Sequence, residues 1–174
     1  MPLPDFRCKS MGAHELSMKK LFGIFDLPIL VSVRAQEQIQ HVTLKEHPEG
    51  LAFEINNEAS KKLVKETLRF FESYVVGKNV PLLSFEWGQI TPFTRSVLHQ
   101  LEGVSFGKTE TYAQIARKVG SPQGARAVGG ACGRNPFPFF IPCHRIVGTQ
   151  GLGGFSAGLI FKEKLLNFEK LIRT

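Results

Sequence analysis

Apolar and polar residues fall into a strand-like pattern from about Leu27 onward. ILVSVRA (29–35) is a short apolar run, IQHVTLKE (39–46) alternates, and GLAFEI (50–55) follows a Pro-Glu-Gly turn signal. The pattern then changes period. SKKLVKETLRFFESYVVGK carries Leu63, Val64, Leu68, Phe71 and Val75 at helical spacing and stops near Gly77, which predicts an amphipathic helix. Two or three strands followed by a helix make a small α/β unit, with NVPLLSFEWGQI (79–90) as the linker out of it. The first 18 residues show no periodicity and read as a lead-in; no internal repeat or low-complexity tract occurs.

The second half is dense in helix punctuation. Thr91-Pro92 is an N-cap followed by proline at the first helical position, Phe93, Val97, Leu98 and Leu101 form the buried stripe, and Gly103 ends the helix. Thr111-Tyr-Ala-Gln114 has the form of a capping box and opens a helix running to Gly120. Ser121-Pro122 reads as another cap-plus-proline start, opening QGARAVGGACGRN. Two short helices across a tight Gly-Ser turn match a helix-turn-helix, although an ordinary helical hairpin has the same signature. The second helix is nearly bare: Ala125, Ala127, Gly129, Gly130 and Ala131 leave it almost without side chains, and each glycine costs about 1 kcal/mol against alanine. Either another helix or a narrow nucleic-acid groove must come close to it, with Arg126 as the side chain that could push into a base stack.

Charge sharpens this picture. The chain has 174 residues and a formal net charge of +7. Residues 88–174 hold 11 Lys and Arg against 4 acids, whereas residues 1–87 hold 11 of each. The whole excess therefore sits in the second half, as expected of a polyanion-facing domain (88–174) on a neutral scaffold (1–87). With 43% hydrophobic residues the chain can build a core, and no run approaches the ~18 apolar residues of a membrane span. The N-terminus lacks the marks of a secretory signal. Three widely spaced cysteines, Cys8, Cys132 and Cys143, argue against a disulfide framework and for a reducing compartment: the cytoplasm, or the nucleus in a eukaryote.

The chemistry concentrates in FIPCHRIVG (140–148). A cysteine in an apolar run is most often structural, but three features favour reactivity here. His144 and Arg145 make the surroundings electropositive, Pro142 fixes the approach of the chain, and FPFFI upstream supplies an apolar wall. In an extended segment adjacent Cys and His side chains project to opposite sides, so cooperation needs a bridging water or a local turn. No C-x-x-C or H-x-x-x-H spacing supports a metal site, and no cofactor motif occurs.

RAVGGACGRNPFPFFIPCHRIVG, with TPFTRSVL and TETYAQIA before it and GLGGFSAGLIFKEKLLNFE after it, resembles the O6-alkylguanine-DNA alkyltransferases, or methylated-DNA–protein-cysteine methyltransferases. The match is close over about residues 90–170 and only one of pattern before that. The resemblance implies a ribonuclease H-like α/β N-terminal domain and a mainly α, winged-helix-type helix-turn-helix C-terminal domain. It implies a monomer acting on double-stranded DNA containing alkylated bases, with no membrane partner and no cofactor. Cys143 would accept the alkyl group from guanine O6, with O4-alkylthymine a second candidate substrate. His144 would take the thiol proton through a water and Glu169 would orient the histidine. Tyr112 and Ser156 would bind the flipped base, and Asn135 would be a hinge beside it. Arg126 would fill the gap in the duplex, with Thr94, Ala113, Ser121 and Thr149 touching the DNA strand.

The chain also departs from that pattern. Phe155 stands where many members have tyrosine, Cys132 where methionine is frequent, and Ala157 where glycine is common. Cys8, His14, His41 and His47 are spaced wrongly for the zinc site of some relatives. A non-catalytic alkyltransferase-like DNA binder would lack Cys143. A helix-turn-helix regulator would explain the charge but not PCHR, and a cysteine hydrolase would need an imidazole placed directly against the thiol.

Overall fold

The computed structural model describes residues 18–21, 27–56, 58–78 and 83–173. Cys8, His14, most of the lead-in and the start of the linker lie outside them. The chain divides into two compact units, residues 1–86 and 87–174.

Unit one is a four-stranded sheet with one helix. Its strands are β1 (Met18–Leu21), β2 (Ile29–Ala35), β3 (Ile39–Glu46) and β4 (Ala52–Ile55), in the order β1-β4-β2-β3. β2 pairs antiparallel with β3 and parallel with β4, and β1 runs antiparallel to β4. The three predicted strands are all present; β1 is an addition, since MKKL carries no alternation that would mark it. Helix α1 (Lys61–Tyr74) is capped by Ser60, whose Oγ accepts from the Leu63 N–H at 3.3 Å. Its buried face is Leu63, Thr67, Phe70, Phe71 and Tyr74, so the predicted stripe is rotated: Val64, Leu68 and Val75 are only half-buried. The aromatics decide the rotation. Phe71 stacks on Phe53 of β4 at 4.8 Å between centroids, because a ring removes more apolar surface from water than a valine does.

Unit two carries four helices: α2 (Pro92–Glu102), α3 (Tyr112–Lys118), α4 (Ala125–Gly133) and α5 (Leu159–Arg173). A two-residue parallel pair, β5 (Glu110–Thr111) with β6 (Ile146–Val147), ties the segment before α3 to the PCHR segment. The caps of α2 and α3 form as predicted: Thr91 Oγ1 accepts from Thr94 N, and Thr111 and Gln114 make the reciprocal capping box. α3 terminates ahead of Gly120, at φ +71°, and Ser121 N bonds back to the Ala116 carbonyl.

Helix α4 begins later than predicted. Ser121-Pro122-Gln123-Gly124 is a β-turn closed by Gly124 N to Ser121 O at 2.7 Å, and Gly124 is the N-cap. Proline at the second position of such a turn gives the same signal as proline at a helix start. A Cβ on Gly124 would lie 2.5 Å from Ser121 Oγ, so the closed turn requires glycine there. α4 packs on α2 and α3 through Val128, Ala131 and Cys132, leaving Arg126, Ala127 and Arg134 exposed.

Candidate active site

The PCHR segment is a turn of 3-10 helix, Cys143–Arg145, and not extended backbone. Pro142 at ψ 62° starts the turn, and Arg145 N bonds to the Pro142 carbonyl at 2.9 Å. This is the local turn that cooperation between neighbouring Cys and His side chains requires. Just upstream, Phe139 holds φ at 78°, a strained value for a bulky residue, and its ring is buried. The tight crossing from α4 to Cys143 thus depends on burial of the FPFF aromatics.

Cys143 is buried, and Asn135 Nδ2 donates to its Sγ at 3.2 Å. The same amide donates to the Ile141 carbonyl at 3.0 Å, and Asn135 Oδ1 accepts from Phe137 N at 3.0 Å. Asn135 therefore splints both ends of the 135–143 crossing and solvates the sulfur as well; the residue pattern gave no sign of that last contact. Burial pushes the Cys143 thiol up, against the opposing pull of Asn135 and of the Lys162 charge, so the resting sulfur is protonated at neutral pH.

Behind the thiol lies a buried polar chain. His144 Nε2 meets Glu169 Oε1 at 2.8 Å, both side chains fully buried. Glu169 also accepts from Arg145 Nε at 2.9 Å, Arg145 Nη2 at 3.0 Å and the Gly107 amide at 3.0 Å. Burial pushes the Glu169 carboxyl up, but the contacts with His144 and Arg145 outweigh it and hold the group well below the usual carboxylate range. Desolvation lowers the His144 pKa despite Glu169, so the imidazole is neutral. A carboxylate at Nε2 selects the Nε2–H tautomer and leaves Nδ1 bare. Nδ1 is buried and has no hydrogen-bond partner among the described residues.

Arg145 takes a different part from the one expected of it. Its guanidinium is buried against Glu169 and the Val104 carbonyl (2.6 Å), so its charge is spent on the carboxylate and not on the thiol. The cation that acts on the sulfur is Lys162. Its side chain is fully buried and donates to the Ile146 and Gly154 carbonyls, with Nζ 5.7 Å from the centroid of Tyr112. Lys162, Leu165 and Glu169 form the buried face of α5, while Ile172 is 40% exposed. The spacing by three and four residues was visible in FKEKLLNFE, but a lysine on such a face ordinarily reads as solvated.

Cys143 opens into a cavity of about 490 Å³. Tyr112, Ala113, Arg126, Thr149 and Ser156 line the same cavity, as do Cys132 and Phe155. Burial is the main cause that raises the Tyr112 pKa, so its hydroxyl remains a donor; it donates to the Gly154 carbonyl at 3.2 Å. Gly153, at φ +69°, permits this pose, since a Cβ there would sit 2.6 Å from the Tyr112 ring. Phe155 meets His144 edge-on at 6.4 Å. Two predicted residues lie elsewhere. Thr94 is 1% exposed and serves the α2 cap, where Thr91 Oγ1 donates to its hydroxyl, so its side chain offers no surface to a strand of DNA. Ser121 closes the α3–α4 turn and is half-buried. Among the described residues no group of three or more His, Cys, Asp or Glu could hold a metal ion, and no helix is long and apolar enough to cross a membrane.

A basic unit in which a bare helix borders a cavity of about 490 Å³, with a thiol at its wall and an imidazole–carboxylate pair behind, fits a thiol-dependent transferase associated with nucleic acid. The comparisons make this specific. A profile of the 6-O-methylguanine DNA methyltransferase DNA-binding domain matches residues 92–171. A probable methylated-DNA–protein-cysteine methyltransferase of Acanthamoeba polyphaga mimivirus is 42% identical over 110 residues, 63% of this chain and 74% of the relative. The methylated-DNA–protein-cysteine methyltransferase of Methanosarcina acetivorans is 32% identical over 85% of this chain and 97% of its own. In fold, the chain is similar to a Mycobacterium tuberculosis protein solved in complex with DNA, at TM-score 0.65 and 24% identity, over 82% of this chain and 94% of that one. The chain belongs to the methylated-DNA–protein-cysteine methyltransferase family.

Proposed function

We propose that the protein repairs DNA by moving an alkyl group from guanine O6 to its own Cys143, once per molecule. The observation that carries this reading is the Cys143 sulfur at the wall of the cavity that Tyr112 and Ser156 share, with His144 and Glu169 behind it. The alkyl carbon of a lesion is buried in the duplex, so the nucleotide must swing out, at a cost of a few kcal/mol. Arg126, exposed on α4 at the cavity rim, fills the gap; Ala113 and Thr149 flank the path of the strand. Tyr112 exchanges its bond to Gly154 for one to the base, and Ser156 donates to O6.

In the transfer, the thiol proton passes through a water to His144 Nδ1, the ring nitrogen that Glu169 leaves free. Sγ forms a bond to the alkyl carbon as the carbon–O6 bond breaks, and guanine leaves with the electron pair. No tetrahedral oxyanion arises at a saturated carbon, so the donors serve the nucleophile and the leaving group instead. The thioether product is not hydrolysed as an acyl-enzyme is, which makes the reaction stoichiometric. In finer detail we read unit one as ribonuclease H-like, supported by its antiparallel pair with a parallel neighbour, and unit two as a winged-helix-type module, supported by α2, α3 and α4 with the β5–β6 pair. The protein acts as a monomer.

The test is to mix the protein with excess duplex carrying one O6-methylguanine and to map the masses of its peptides. A single methyl group on the Cys143 peptide, with no further gain, is expected. Cys143→Ser should lose all transfer and retain binding to the damaged duplex. Lesion-selective binding without any mass change would overturn the reading in favour of a sensor.

A further inference from the structure

The proposed reaction has no use for Cys132, yet this second thiol lines the same cavity as Cys143 and is 7% exposed on the inner face of α4. Asn135 ties the two cysteines together: its N–H bonds to the Cys132 carbonyl at 3.2 Å and its side-chain amide to Cys143 Sγ at 3.2 Å. Both cysteines are free, and Lys162 acts on each sulfur. A cavity built to present an alkyl group to one sulfur thus presents the far end of a longer alkyl group to another.

We propose that Cys132 is a second acceptor for two-carbon lesions that carry a leaving group, so that an O6-(2-haloethyl) group ends as a bridge between Cys143 and Cys132. The inference rests on the alkyl-transfer reading of Cys143. In the first step Cys143 Sγ bonds to the carbon attached to O6, guanine leaves with the electron pair, and the product is a 2-haloethyl thioether. The sulfur lone pair then displaces halide from the neighbouring carbon, closing a three-membered episulfonium ring. Cys132 Sγ attacks a ring carbon, the ring C–S bond opens back onto the first sulfur, and the thiol proton is lost to solvent. Guanine, halide and a proton are the other products, and nothing is oxidised or reduced. Such a bridge demands less approach of the two sulfurs than the roughly 2 Å of a disulfide.

The electrostatics order the two steps. Asn135 donates to the Cys143 sulfur, whereas burial pushes the Cys132 thiol up to about 12, so Cys143 is the first acceptor. Alkylation of Cys143 leaves Cys132 as the remaining thiol of the cavity, with the Lys162 charge acting on it. The electrophile is then tethered in the cavity that the second sulfur lines.

The experiment uses the full chain with two duplexes, one carrying O6-(2-chloroethyl)guanine and one carrying O6-methylguanine, followed by thiol counting and peptide mapping. The chloroethyl duplex is expected to consume two thiols and to link the Cys132 and Cys143 peptides through a two-carbon bridge, and the methyl duplex to consume one. In Cys132→Ala the two-carbon group should remain singly attached to Cys143, ending as a hydroxyethyl adduct whatever the rate of its transfer. A hydroxyethyl group on Cys143 of the unaltered protein with Cys132 still free, a bridge to Cys8, or a link to DNA would overturn the proposal while leaving the alkyl-transfer reading intact. Failure of the methyl duplex to modify Cys143 would overturn both.

Discussion

Glu169 shows how much one side chain organises. It has no exposed surface, yet it accepts from a histidine, an arginine and a backbone amide. Arg145 would be left buried and unpaired without it, so Glu169→Ala should cost about 3–5 kcal/mol in unit two, read as a shift of the denaturation midpoint. The pH dependence has a definite sign. The folded-state pKa lies below the unfolded value of about 4.3, so the stabilisation is complete above that value and is lost as pH falls through it toward the folded pKa. The stability gap between the parent and Glu169→Ala should therefore narrow in acid; a constant gap would mean that the carboxylate is not the source. His144 shifts in the same direction. Its pKa is lowered, so it remains a base below its ordinary 6.5, and alkyl transfer should hold at pH 6.5 and decline only in more acidic buffer. A rate midpoint above 6.5 would contradict a neutral imidazole acting as base. Its neighbour in sequence, Arg145, illustrates what residue types alone convey: PCHR revealed a cationic cluster but not that Glu169 would absorb the guanidinium.

At the scale of elements, the bare helix α4 and the loop facing it were partly legible. Gly129 and Gly130 marked a place of close approach, and the structure shows a tight one at Gly130, where a Cβ would lie 3.3 Å from the Arg134 guanidinium, but only an ordinary contact of 3.8 Å with Tyr112 at Gly129. What neither periodicity nor motif could supply was the rotation of α5 that buries Lys162, because its cost is met by the Ile146 and Gly154 carbonyls, both outside the helix. Nor could they reveal the 3-10 turn, since PCHR has no helical propensity of its own and is held by its ends. Two substitutions separate the roles of these elements. Arg126→Ala should slow repair in duplex DNA about 10- to 100-fold, the equivalent of a few kcal/mol of unstacking left uncompensated, while reaction with free O6-benzylguanine changes little. Equal losses on both would remove the flipping role. Gly153→Ala should act on both: with φ at +69° and Tyr112 in the way, it displaces the ring proposed to bind the base and weakens reaction with both substrates. Alkylation of Cys143 by a small thiol reagent should persist in that variant, since Asn135, which donates to the thiol, lies outside the altered loop.

Over the whole molecule, the net charge and the thiol chemistry fall in one half. Residues 88–174 carry the entire formal excess of +7, and the thiol, its polar chain and the cavity lie in that unit too. The neutral unit builds its own core, in which Phe71 stacks on Phe53. That division was readable from the sequence because net charge needs no geometry. A protein that meets DNA through such a surface releases counterions, and log K should fall with log salt at a slope of about −0.9 per phosphate neutralised. With several contacts made by unit two, binding to a lesion-bearing duplex is expected to show a slope of roughly −3 to −6. Transfer from free O6-benzylguanine involves no phosphate, and its rate should be flat over the same range. Parallel decline of both reactions would mean that salt acts on the buried Lys162–Cys143–Glu169 electrostatics and not on the DNA face. Burial argues against that outcome, because ions screen exposed charges far more than enclosed ones.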